Sequence, residues 1–150
     1  MDALSLLKAD HDKGKRMLAE GEKTTERAEK TRTEVFETLK AEMMLHERIE
    51  EEIFDPALKE HPKAKDIVLE GYEEHHVVDE IMGELETTPV TDETWGAKFT
   101  VMKENIEHHI EEEEGDMFRQ ARQVFDADEL EQLGARMAEL KKVGQEVGPA

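Results

Sequence analysis

Apolar residues recur at spacings of three, four and seven along most of this chain, the period of helices that bury one face. The first such stretch predicts a helix from about Asp2 to Glu20, closing near Gly21, with Leu4, Leu7, His11 and Leu18 inward. Residues 22–33, EKTTERAEKTRT, hold no large apolar side chain and read as a solvated helical extension or a loop. A long second helix runs to Phe54 with Val35 or Phe36, Leu39, Met43, His46, Glu50 and Ile53 on one face. Pro56 is expected to end it, because the residue before a proline is pushed out of the α region. HPKAK then reads as a polar turn with His61 on the surface. The third helix, roughly Ala64 to Leu85, carries Ile67, Val68, Tyr72, His75, Val78, Met82 and Leu85 inward, and TTPVTD is a linker. The fourth runs past Phe118 to about Val124, with Phe99, Met102, Ile106, Ile110 and Met117 on its stripe. Asp126 and Glu129 have the spacing of a capping box. They open a short helix with Leu130, Leu133, Met137 and Leu140 as its face, before a tail, VGQEVGPA, that should fray.

Four long helices with short connections predict an all-α fold: an antiparallel up-down-up-down four-helix bundle over residues 1–124. The short C-terminal helix and tail, 125–150, pack on the same domain. Each apolar stripe is interrupted by one histidine: His11, His46, His75 and His109. Two are followed four residues later by a glutamate on the same face, Glu50 and Glu113, in the similar stretches HERIEEEIF and HIEEEEGDMF. One inward histidine is ordinary packing. Four of them, one per helix, would each cost about 1–3 kcal/mol if a ring nitrogen found no partner. A dinuclear metal centre answers all of them together, with imidazoles as terminal ligands and the two carboxylates as bridges. The remaining members of the glutamate runs 50–52 and 111–114 read as solvated face. His108 and His76 are turned about 100° from their inward neighbours and read as surface residues.

Composition narrows the chemistry. The 150 residues are 39% charged and 5% aromatic, which favours solvated helices over sheet. No cysteine is present, so disulfides, thiolate catalysis and cysteine metal sites are excluded, and a metal must be held by His, Asp and Glu, the ligand set of iron, manganese or zinc. A net charge of −19 argues against nucleic acid or an anionic membrane surface as partner. No apolar run is long enough to span a bilayer and no leader-like segment opens the chain, so the expected compartment is the cytoplasm.

The residues His108-His109-Ile110-Glu111-Glu112-Glu113, with ADHDKGK, HERIEEEIFDPAL and EEHHVVDEIMGEL before them in that order, resemble the hemerythrin-like HHE cation-binding domains. The likeness covers about residues 3 to 122. It implies a four-helix bundle around two non-haem iron ions, with His11, His46, His75 and His109 as terminal ligands and Glu50 and Glu113 as bridges. It also implies dioxygen or peroxide as the small ligand, with oxygen binding, sensing of oxygen or iron, and iron storage as the corresponding roles. The chain departs from the oxygen-carrying members in one respect: a fifth histidine, expected one turn after His75, is replaced by Asp79, so that Asp79, Glu47 or water must fill that position. The competing readings are a di-iron oxidase or peroxide-decomposing enzyme on the same architecture and a metal-free acidic interaction bundle. A phosphotransfer bundle using His61, His76 or His108 is a remote further reading.

Overall fold

A computed structural model describes residues 1–147, and among these every regular element is helical. Helix α1 spans Ala3–Glu22, with the Asp2 side chain capping the Ser5 amide at 2.8 Å. Helix α2, Glu29–Ile49, widens into a π-helical turn at Glu50–Phe54 and continues as α3, Asp55–Lys59. A 3₁₀ turn at Pro62–Ala64 leads into α4, Lys65–Thr87. Helix α5, Trp95–Glu112, has its own π turn at Glu113–Met117 and continues as α6, Phe118–Val124. The bundle thus has four rods, two of them interrupted by π turns, and α7, Ala127–Val147, packs along α1 and α2. No helix among the described residues is long and apolar enough to cross a membrane.

Three boundaries differ from those expected. Pro56 does not end the second helix: Asp55 keeps helical angles (φ −64°, ψ −43°), and its amide reaches back five residues to the Glu50 carbonyl. The α-helical turn restarts there, and Pro56 sits in its first turn, where a missing N–H is tolerated. Residues 22–33 divide into the end of α1, a short loop and the start of α2, and Arg32 is buried rather than solvated. Its guanidinium donates to Thr24 Oγ1 (2.9 Å), the Thr24 carbonyl (3.2 Å) and the Val90 carbonyl (2.6 Å), and lies 4.5 Å from the Trp95 ring centroid. The C-terminal helix also extends well beyond its apolar face, through most of the stretch expected to fray; residues 148–150 of that tail lie outside the described residues. The capping box is formed, with Asp126 N–H donating to Glu129 Oε1 (3.0 Å) and Glu129 N–H to Asp126 Oδ1 (2.8 Å).

The apolar interior falls into two clusters. One gathers Leu4, Leu7, Ile49, Phe54, Leu58 and Val68 with Phe118 and the α7 face of Leu130, Leu133 and Met137. The other holds Leu18, Phe36, Leu39, Met82, Trp95, Phe99, Met102 and Ile106. Each rod carries its inward histidine between these clusters: His11 follows Leu7 and precedes Leu18, and His46 follows Leu39 and precedes Ile49. The polar layer is therefore sealed above and below by hydrocarbon. Gly134 brings α7 against the chain start so closely that a Cβ there would stand 2.3 Å from the Met1 carbonyl oxygen and 2.7–2.8 Å from Asp2 and Ala3 backbone atoms.

Candidate metal centre

All six residues singled out by spacing are buried: His11 3%, His46 7%, Glu50 0%, His75 4%, His109 7% and Glu113 2% exposed. The four rods bring them together as two clusters, His11 with His46 and Glu113, and Glu50 with His75 and His109. The rings of His11 and His46 lie 5.1 Å apart and those of His75 and His109 4.9 Å apart, both pairs edge to face. Each carboxylate reaches both clusters. Glu113 places Oε1 3.1 Å from His11 Nε2 and Oε2 3.1 Å from His109 Nε2. Glu50 Oε1 lies 2.8 Å from His46 Nε2 and 3.5 Å from His75 Nε2. By contrast His76 and His108 are exposed, each beside a surface glutamate on its own helix.

These short contacts are ion-pair distances without well-directed hydrogen bonds. His11, His75 and His109 Nε2 and all four carboxylate oxygens of Glu50 and Glu113 are buried without a hydrogen-bond partner. Orphaned donors and acceptors of that number in one layer are costly, of order 1–3 kcal/mol each. Their lone pairs converge, which is what a cation requires of imidazole and carboxylate ligands. The residues fit a pair of metal ions.

The outer nitrogen of every one of these histidines meets a further carboxylate. His11 Nδ1 is 2.7 Å from Glu114, His46 Nδ1 2.9 Å from Asp10, His75 Nδ1 3.1 Å from Glu51, and His109 Nδ1 3.0 Å from Glu74. Such a partner fixes ring orientation, and with the proton on Nδ1 leaves Nε2 free to bind a metal. The set obeys an internal two-fold: Asp10, His11, His46, Glu50 and Glu51 match Glu74, His75, His109, Glu113 and Glu114 in order and in contacts. Glu51 and Glu114 were expected on the solvated face; instead they turn back to the histidine of another rod. The signal for them was their place directly after each inward glutamate, where both π turns begin. Such turns are rare and concentrate at functional sites.

Burial and mutual charge set the protonation of this layer in the metal-free protein. Burial works against a charged His75 and His109, but Glu50 acts on the first and Glu113 with Glu74 on the second, raising them to about 9 and about 11. Glu50 is held well below the usual carboxylate range, its burial outweighed by His46 and His75. One buried acid escaped the sequence reading of the site, and a second entered it only in part. Asp55, 2% exposed, is pushed well up by burial and by Glu50 and Glu113. Glu47 was weighed only as a replacement for the fifth histidine. It is buried and raised by that burial to about 8, whereas Asp79 is exposed. Glu47 lines a cavity of about 30 Å³ beside the clusters, together with Gly14, Met43, Val78, Ile106 and the four histidines.

Comparison with curated proteins found no match. Among solved structures, a hemerythrin HHE cation binding domain-containing protein from Mycobacterium kansasii superposes with a TM-score of 0.87 at 27% identity, over 98% of this chain and 89% of that one. The model of the hemerythrin HHE cation binding domain matches residues 2–121, which take in both clusters and the four rods but for the last turn of the fourth. The chain belongs to the hemerythrin HHE cation-binding domain family.

Proposed function

We propose that this protein holds two non-haem iron ions in the buried layer and uses them to bind dioxygen. His11 and His46 would serve one ion and His75 and His109 the other, with Glu50 and Glu113 spanning both. The supporting observation is the pair of convergent His/Glu clusters, every imidazole backed by a carboxylate, next to a cavity of small-molecule size. A pair of irons supplies the electrons that dioxygen or peroxide chemistry needs. The protein's own part is positional. Asp10, Glu51, Glu74 and Glu114 orient the rings, and the two apolar clusters keep bulk water out.

The cavity sets what can enter. A volume of about 30 Å³ is room for a small ligand of the size of water, dioxygen or peroxide. Gly14 is buried in the middle of α1 and lines this space, and a Cβ there would meet no atom within 4 Å. A helix-interior glycine costs about 1 kcal/mol relative to alanine, and no close approach of a neighbouring helix requires this one.

A second reading, decomposition of peroxide on the same centre, draws on Glu47, a buried carboxyl in the cavity wall that can donate or accept hydrogen bonds beside a small ligand. Anaerobic loading with ferrous ion followed by dioxygen or peroxide separates the readings. Oxygen binding predicts an absorption band that forms with dioxygen and disappears when it is withdrawn. Sustained peroxide turnover without bleaching would instead select the enzymatic reading. Gly14→Leu should retain its iron and lose the dioxygen response, and an unaltered response would show that this cavity is not the ligand's place.

A further inference from the structure

The internal two-fold that relates the two clusters is broken by lysines. In the His75/His109 half, neither Glu51 nor Glu74 has a lysine or arginine partner among the described residues. In the His11/His46 half both outer carboxylates do. Lys8 stands 3.6 Å from Glu114, but it is more than half exposed and screened by solvent. Lys141 differs in kind: it comes from α7, beyond the stretch matched by the family model, and its Nζ pairs with Asp10 Oδ1 in a part-buried setting. Asp10 is 8% exposed at its side chain, and its other oxygen, Oδ2, is the one that holds His46 Nδ1 at 2.9 Å. Asp10 therefore bridges two groups, Lys141 outside and His46 inside, while its counterpart Glu74 bonds His109 with no lysine or arginine behind it among the described residues.

We propose that Lys141 is a positioning residue for the metal centre: acting through Asp10, it fixes His46 and makes the two metal positions unequal, so that the C-terminal helix controls one of them. Without the ammonium, Asp10 loses the contact that fixes its Oδ1 and with it the orientation of Oδ2, and the carboxylate is free to turn toward solvent. Turning away releases His46 Nδ1. Loss of an outer partner of this type typically weakens metal binding about 10–100-fold. The effect falls on the His11/His46 position, while His75 and His109, held by Glu51 and Glu74, keep theirs.

This inference rests on the two-metal reading, and titration of the metal-free protein with cobalt(II), followed by its visible absorption and by calorimetry, tests the two separately. Wild type should bind two ions in distinguishable steps. Lys141→Met should weaken one step at least tenfold and leave the other unchanged, with thermal unfolding of the metal-free protein barely altered, and Lys141→Arg should restore most of the lost affinity. Equal weakening of both steps, no weakening of either, or an arginine variant no better than methionine would overturn the positioning role while leaving the two-metal reading intact. A wild-type protein that binds no cobalt would overturn both.

Discussion

His46, His75 and His109, each with a carboxylate on its outer nitrogen, give the centre a pH dependence of definite sign. In the metal-free protein His75 and His109 titrate near 9 and 11, above the ordinary histidine value of about 6.5. A histidine whose folded value is raised stabilises the fold fully below its unfolded value, and that stabilisation is lost as pH rises through the folded value. The urea midpoint of the metal-free protein should thus fall between about pH 7 and pH 9.5. Metal ions compete with the same protons, so the stabilisation added by loading should grow across that interval. A metal-free midpoint that rose with pH would mean these rings are neutral in the fold. At this scale the sequence was informative about the inner residues, because His11, His46, His75, His109, Glu50 and Glu113 lie on apolar stripes and all six prove buried together. It was not informative about Asp10, Glu51, Glu74 and Glu114. Each lies beside an inward residue on the wheel, at the edge of the polar face, and only the packing of a neighbouring rod decides whether such a carboxylate meets water or an imidazole.

At the scale of elements, the π turns and the buried arginine could not be read from periodicity. A π turn inserts one residue per turn without changing residue types, and HERIEEEIFD reads as well for an α-helix as for the α–π–α rod that forms. Arg32 sat in a stretch that looked solvated, since a long cationic side chain carries no mark of burial until its acceptors are known. Its acceptors are the Thr24 hydroxyl and carbonyl and the Val90 carbonyl, so one guanidinium ties the α1–α2 loop to the α4–α5 loop at the end of the bundle remote from α7. Truncation to alanine removes three hydrogen bonds and the stacking on Trp95, and should lower unfolding free energy by about 2–4 kcal/mol with metal content unchanged. A loss under about 0.5 kcal/mol in chemical denaturation would show that water replaces the side chain.

For the whole molecule, the helix count, the four rods and the family were legible because the apolar period, the short linkers and the paired HxxxE stretches agree with one another. The reach of α7 was not. Its apolar residues marked a short face, yet the helix runs on to carry Lys141 to Asp10, and Gly134 allows the backbone approach that sets it there. The molecule that results is a bundle whose hydrocarbon is split by one polar layer, and the account stands on that layer holding metal through the inward rings. Iron content after anaerobic ferrous loading tests this most directly, compared among wild type, His108→Ala and His109→Ala. Wild type and His108→Ala should retain about two irons per chain, as a carboxylate-bridged pair requires, and His109→Ala far less. Equal iron in wild type and His109→Ala, or none in wild type, would contradict it.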